Sequence, residues 1–378
     1  MLRLAIIILA LGLSSAAQAD VKNYMDQMLR EIYILKPYIV SEAEYKDPKN
    51  SAEIDESLKR MVSLSESISH EGKIRSTGFG ISSDVLTQQL KESELVFRVG
   101  NKGYSLWMLR STLSVCMSCH TQLPSASTRF DFSKKEHKLT KPFDEAEFLF
   151  IVRNFEKAMP LYQQVIAEYP KNAVTPENLK KAIARELYYY VRVKRDMPGL
   201  IKALDKNLKN KQLPTSAKTR LSGLKKAAQD KKGEGYPEFK EDQQAELKSY
   251  AESQLKNELA GDFDFSASKE LDYLKTSSVL YKYLNDFPQT PLKPEILYWL
   301  SFCERRYEPT AFYSLPELYL KQCVLEHPQS EIAPACLKEY QDLVTLAYTG
   351  SSGVNIPDDV KKELQSLKKM IKTMKPKK

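Results

Sequence analysis

Residues 104–120 read YSLWMLRSTLSVCMSCH and join an apolar helical pattern to a closing C-x-x-C-H motif. Cys116 and Cys119 stand one helical turn apart, so both thiols can add to the two vinyl groups of one porphyrin. His120 follows directly and can place an imidazole nitrogen on the iron. The spacing predicts one covalently attached haem c, with Cys116 and Cys119 forming the thioethers and His120 as proximal ligand.

Two other uses of a C-x-x-C pair fit this sequence less well. A redox dithiol needs no following histidine and is expected beside a strand–helix junction, whereas this motif ends an apolar helical run. A tetrahedral zinc site needs further Cys or His residues at close spacing, and the neighbouring sequence has none.

The N-terminus, residues 1–19, has the pattern of a secretory signal peptide. Arg3 supplies a positive charge, residues 4–13 form a short apolar core, and residues 17–19 read Ala-Gln-Ala. The apolar core is too short to span a bilayer, so no integral membrane segment is expected once the signal is removed. Covalent haem attachment occurs outside the cytoplasm, and the prediction is a periplasmic protein, beginning near Asp20, that meets the cytochrome c maturation machinery.

Composition favours an all-α protein. The chain has 378 residues, of which 42% are hydrophobic, 28% are charged and only 13 are glycine. Lys, Glu, Leu and Ala dominate, and these residues favour helix. The net charge of +8 could attract an acidic partner, but the lysines are expected to be dispersed over helix faces and a C-terminal tail. No nucleic-acid motif is present, and nucleic-acid binding is not expected.

Four amphipathic helices are predicted within residues 20–124. The first runs from Val21 to a stop at Pro37, and the second from the Asn50-Ser51 cap to Gly72. The third runs from a Ser82-Ser83-Asp84 cap to Gly100, and the fourth carries the motif. Short connections favour an up-down-up-down antiparallel four-helix bundle.

The motif and its position at the end of the fourth helix resemble the cytochrome c-prime family. That resemblance implies a four-helix-bundle cytochrome c domain over residues 20–124. It also implies that the distal side of the haem carries either an apolar residue or a methionine from the first helix.

Antiparallel topology brings the end of the fourth helix level with the start of the first and the end of the second. Met25, Met28 and His70 are therefore the candidate distal ligands, and the sequence leaves the choice among them open. The methionines could equally fill the core, and His70 could be a solvated helix end.

Residues 125–143 read as a polar linker, and residues 144–375 as helix pairs that resemble tetratricopeptide repeats. Three times, a helix with a Leu-Tyr pair ends before a proline and another begins six residues later at a second proline. The positions are Leu161-Tyr162, Pro170 and Pro176; Leu280-Tyr281, Pro288 and Pro294; Leu318-Tyr319, Pro328 and Pro334. The expectation is a degenerate TPR-like α-solenoid that docks a partner.

Three cysteines remain outside the motif. Cys323 and Cys336 lie on either side of a predicted turn, which leads us to expect a disulfide between them, with Cys303 buried and free.

The functional prediction is a periplasmic monohaem c-type cytochrome that transfers electrons to or from a redox partner protein and is not an enzyme. The alternatives are a haem-based gas or redox sensor and a structural assembly protein whose haem stabilises the fold. A peroxidase ranks last because such c-type enzymes commonly use a second haem, and the chain has one C-x-x-C-H.

Overall fold

The protein is all-α, as expected. A computed structural model describes residues 2–75, 77–122, 139–172, 174–262, 266–305, 315–351 and 353–374. Most of the predicted linker, residues 125–138, lies outside these ranges.

The helices before the linker are α1 (Leu2–Val40), α2 (Glu42–Lys46), α3 (Ser51–Arg75), α4 (Thr77–Arg98) and α5 (Lys102–Gln122), with a 3₁₀ turn at Pro48–Asn50. The next are α6 (Pro142–Ile151), α7 (Phe155–Glu168), α8 (Pro176–Leu187), which continues as a π-helical segment (Tyr188–Val193), α9 (Met197–Asn207), α10 (Thr215–Asp230), α11 (Gln244–Gln254) and α12 (Lys256–Leu259). The last are α13 (Ala267–Asp286), α14 (Lys293–Glu304), α15 (Leu315–Glu326), α16 (Ala333–Ala347) and α17 (Asp358–Met374). An antiparallel ribbon of β1 (Thr349–Gly350) and β2 (Gly353–Val354) lies between α16 and α17.

The described chain divides into two compact units. The first contains the chain up to His120 together with residues 139–165, and the second contains Thr121, Gln122 and residue 166 onward. Helix α6 and most of α7 therefore belong with the motif helix, whereas the sequence placed residues 144–165 with the repeats.

The expected stop of the first helix at Pro37 is wrong, because α1 continues to Val40. Proline removes one helical hydrogen bond, but packing of the same helix can compensate. Leu35 and Ile39 are buried on either side of Pro37, and Arg110 Nε of α5 donates to the Ile39 carbonyl at 2.8 Å. Tertiary contacts on both sides of the proline thus keep the last turn of α1 helical.

The expected cap at Ser82-Ser83-Asp84 is also wrong, because α4 begins at Thr77. The hydroxyl of Ser83 donates to the Gly80 carbonyl at 2.9 Å, within the helix. Asp84 accepts a hydrogen bond from Ser69 of α3. These side chains therefore bind neighbours instead of ending a helix, and α3 extends to Arg75, beyond the predicted end at Gly72.

Helix α3 packs against both α1 and α4. On the far side of α4, Ser93 Oγ donates to the Ser105 carbonyl of α5 at 3.0 Å, and Arg110 ties α5 to α1 as described. The Ser69–Asp84 bond places the last turns of α3 beside the start of α4. The motif end of α5 is at the same end of the unit, since Ser82 of α4 is close enough to Cys119 to influence the pKa of its thiol.

In the second unit the predicted helix ends and restarts are confirmed. Helices α7, α13 and α15 end at Glu168, Asp286 and Glu326, just before the Pro170, Pro288 and Pro328 turns. Helices α8, α14 and α16 restart with Pro176, Pro294 and Pro334 in their first turns. Proline is well suited to both places because it lacks the N–H that a helix interior needs.

The second unit also buries a polar network that sequence reasoning did not anticipate. Arg192 pairs with Glu304, and both side chains are only 2% exposed. Tyr281 donates to Glu304 at 2.9 Å and lies 2.9 Å, hydroxyl to hydroxyl, from Tyr319. The network joins the π-helical segment to α13, α14 and α15, so these tyrosines pack and bond inside the unit.

The structure contains the disulfide expected from the sequence. The sulfur atoms of Cys323 and Cys336 are 2.09 Å apart and link α15 to α16, while Cys303 is free and buried.

Replacing Cys323 and Cys336 together by serine will destabilise the second unit. A cross-link restricts the unfolded chain, and for a loop of about this size (separation 13) it contributes about 3 kcal/mol. Urea unfolding followed by circular dichroism will show this loss, with Cys303→Ala as a control that keeps the bridge. Equal unfolding free energies for the double variant and the native chain would contradict the prediction.

Candidate functional site

Helix α5 presents the C-x-x-C-H motif in its last two turns. The helix starts after Gly100, whose φ of +91° suits the left-handed turn between α4 and α5. Asn101 Oδ1 then accepts from the Tyr104 backbone N–H at 3.3 Å. Leu106 and Leu109 are buried and fix the rotation of the helix. Cys116 and Cys119 consequently share one face, and both are free and partly exposed.

His120 is oriented by a backbone carbonyl from α6. Its Nδ1 lies 2.6 Å from the carbonyl oxygen of Ile151. A carbonyl oxygen only accepts hydrogen bonds, which places the ring proton on Nδ1. The other nitrogen, Nε2, then keeps its lone pair. A hydrogen bond from one ring nitrogen to a carbonyl orients metal-binding histidines and makes the other nitrogen more basic.

Arg153, two residues after Ile151, also bonds His120. Its Nη2 donates to the His120 carbonyl at 3.1 Å, at the C-terminus of α5, where a cation is favourable. Arg153 has a φ of +63°, so the chain turns sharply just after α6. Ile151 and Arg153 together hold the side chain and the backbone of His120.

The surroundings keep the imidazole neutral. Desolvation by the packed helices and the charge of Arg153 lower the pKa of His120 to about 3, although the bond to Ile151 acts in the opposite direction. At neutral pH the ring therefore carries a single proton.

The thiols are also held in their protonated form. Desolvation, and then the proximity of Cys119, raise the pKa of Cys116 to about 12. Desolvation raises the pKa of Cys119 as well, against the opposite effects of Arg153 and Ser82. Redox-active C-x-x-C pairs show the reverse, a lowered thiol pKa.

Helix α6 is fastened to α1 by a buried ion pair. Lys36 Nζ lies 3.0 Å from Glu145 Oε2, with the two side chains 4% and 9% exposed. The same ammonium is 4.0 Å from the ring centroid of Phe148, and Tyr33 packs edge-on against that ring at 4.9 Å. We call Lys36, Glu145, Phe148 and Tyr33 the α1–α6 clamp. It fixes α6 less than two turns before Ile151 and so positions the carbonyl that binds His120.

The three candidate distal residues differ in burial. Met28 is 3% exposed, Met25 is partly exposed and His70 is exposed. Met61 of α3 is 1% exposed. Glu31, one turn after Met28 in α1, bonds Ser57 at 2.7 Å and Arg60 at 2.8 Å in α3. Met28 and Met61 are therefore both core residues of the first unit.

Within the residues that the structure describes, no group of three or more His, Cys, Asp or Glu side chains could hold a metal ion. In the same part of the chain, no helix has both the length and the apolar character needed to cross a membrane.

Sequence reasoning missed Ile151, Arg153, Lys36 and Glu145. A backbone carbonyl has no signature in a sequence, and Ile151 would have been assigned to the core by its side chain. Lys36 and Glu145 are separated by the whole motif helix, so no local spacing pairs them.

Comparison with protein-family models, with curated proteins and with solved structures gave no match to this chain. The assignment of a function therefore depends on the motif and on the geometry around it.

Proposed function

We propose that this chain is an exported monohaem c-type cytochrome that carries electrons. The observation that carries the proposal is the 2.6 Å contact between His120 Nδ1 and the Ile151 carbonyl, which leaves Nε2 available as a ligand. That contact is of the type that orients metal-binding histidines, and it supports the proposal separately from the C-x-x-C-H spacing because it depends on residues distant in sequence.

Each residue of the site has a role in this proposal. Cys116 and Cys119 would hold the porphyrin through thioethers, and His120 would bind its iron through Nε2. Ile151 would orient the imidazole, while Arg153 would hold the end of α5 against it. When bound, the haem supplies an iron that alternates between the ferric and ferrous states. Electron transfer of this kind requires no acid, base or nucleophile from the protein.

The finer architecture belongs to the same proposal. Helices α1, α3, α4 and α5 would form the four-helix bundle of a cytochrome c-prime-like domain, with α6 added on its proximal side. Helices α8 to α17 would be the TPR-like part that docks a partner, and α9–α10, α13–α14, α14–α15, α15–α16 and α16–α17 are packed pairs within it. Residues 1–19 would be removed on export to the periplasm.

For the distal side we favour Met28, since a ligand must be held inside the core and Met28 is the buried member of the three candidates. The reduced holoprotein should then give a low-spin absorption spectrum that carbon monoxide leaves unchanged. Met28→Ala should open the sixth position, and carbon monoxide should then shift the spectrum.

Met25→Ala is the matched control for Met28→Ala, because it removes a methionine one turn away on the same helix, and it should stay unresponsive. A native protein that binds carbon monoxide readily would contradict the electron-carrier assignment and support a gas sensor.

A further inference from the structure

We infer that helices α9 and α10 present a docking surface for an acidic protein. The surface consists of Lys202 and Lys206 on α9, Lys209 and Lys211 in the turn that follows, and Lys218 and Lys225 on α10; we call it the lysine face. The inference deepens the docking role proposed above. It depends on that role and not on the haem.

Residues 200–232 form one of two strongly positive segments of the chain, and the other is the lysine-rich C-terminal end. Residues 200–232 contain nine lysines and one arginine against two aspartates, a net charge of +8. Residues 361–378 carry a further +7, from eight lysines and one glutamate, and the rest of the chain carries −7, which gives the total of +8. A concentrated charge of one sign creates a local potential that attracts and orients an oppositely charged partner.

The lysines share one continuous surface. Lys202 and Lys206 are four residues apart on α9, Lys209 follows in the turn just after the helix, and all three are exposed. Lys225 of α10 reaches across to Asp205 of α9 at 2.6 Å. Lys218 donates to the Lys211 carbonyl at 2.6 Å. The two helices therefore present their lysines side by side.

The helices beneath this face are firmly packed. Leu200 and Leu204 of α9, and Leu221 and Leu224 of α10, are at most 1% exposed. In the connecting turn, Asn210 Nδ2 donates to the Ile166 and Tyr169 carbonyls, each at 2.8 Å. The lysines consequently project from a fixed surface, and docking requires little ordering of the backbone.

The chemistry of the face favours protein carboxylates over other anions. Residues 200–232 contain no aromatic side chain on which a base could stack and no exposed large apolar side chain that could enter a lipid surface. The one arginine, Arg220, is paired with Glu270 of α13, so the bidentate group that suits phosphate is already used. Lysines interact as hydrated point charges, which suits a short-lived complex with an acidic surface.

The test compares two variants of the full-length protein that lose the same charge. In the face variant, Lys202, Lys206, Lys209 and Lys218 are replaced by glutamine. In the control variant, Lys362, Lys368, Lys369 and Lys372, all exposed on α17, are replaced by glutamine. Binding to poly-L-glutamate is measured at low and at high salt, beside vesicles of phosphatidylglycerol and duplex DNA.

The expected result is about tenfold weaker binding of polyglutamate by the face variant at low salt, against less than about twofold for the control, with both differences removed by high salt. Equal weakening in the two variants would overturn the proposal, because net charge alone would then explain binding. A native protein that prefers vesicles or DNA to polyglutamate would overturn it as well.

Absorption spectra of the same preparations report the haem independently. A coloured protein that fails the docking test refutes only the lysine face. A colourless protein that passes it refutes only the cytochrome assignment.

Discussion

Replacing Cys116 and Cys119 together by serine will give a colourless protein when it is made in a host that can attach haem. The native chain from the same host should be coloured and heavier by one covalently bound haem. Serine hydroxyls cannot form the thioethers that hold the porphyrin, so the whole covalent signal should disappear. Mass spectrometry of the denatured proteins, together with absorption spectra, measures the effect.

Cys303→Ala is the control for this experiment, because Cys303 is a free buried thiol in the second unit and should leave haem attachment intact. If the native chain itself has the mass of the bare processed polypeptide, the proposed function is refuted. The contact between His120 and Ile151 would then be an ordinary histidine bond within a helical protein.

Breaking the α1–α6 clamp has the second largest expected effect. Lys36→Met leaves Glu145 buried without its ammonium partner, which typically costs about 3–5 kcal/mol. Loosening α6 should also weaken the bond between Ile151 and His120. A less basic imidazole stabilises ferric iron less, so the reduction potential should rise. Chemical unfolding and a redox titration of the holoprotein measure the two consequences separately.

Lys91→Met serves as the matched control. Lys91 pairs with Glu66 at 2.7 Å in the same unit, but both side chains are about half exposed, at 53% and 51%. Such exposed pairs contribute about 0–1 kcal/mol, and neither stability nor potential should change much.

The double variant Lys36→Met, Glu145→Gln removes the uncompensated charge and should recover part of the stability. A Lys36→Met protein with an unchanged potential would show that the clamp stabilises the fold without positioning the haem ligand.

The positive charge of the lysine face can be predicted from the sequence alone. Its charges are local, and a count over residues 200–232 is enough to reveal the concentration. The tertiary structure adds that the charges form one surface, through the bonds from Lys225 to Asp205 and from Lys218 to the Lys211 carbonyl.

Some helix boundaries likewise follow from the local sequence, whereas others depend on tertiary contacts. Pro170, Pro288 and Pro328 predicted three helix ends correctly, because a proline in an exposed turn acts through its own ring and its missing N–H. Pro37 misled the prediction, because buried neighbours and Arg110 support the helix around it. The outcome at a proline depends on tertiary contacts that the local sequence does not contain.

The sequence by itself determined the helical class, the thiols of Cys116 and Cys119 with His120 beside them, and the pairing of Cys323 with Cys336. These features depend on residue type and on short spacings along one helix or one turn. The tertiary structure alone decided which nitrogen of His120 keeps its lone pair, because a backbone carbonyl 31 residues away sets that choice. It also decided that Lys36 and Glu145 hold that carbonyl in place, since burial of a distant ion pair depends on how the whole unit packs.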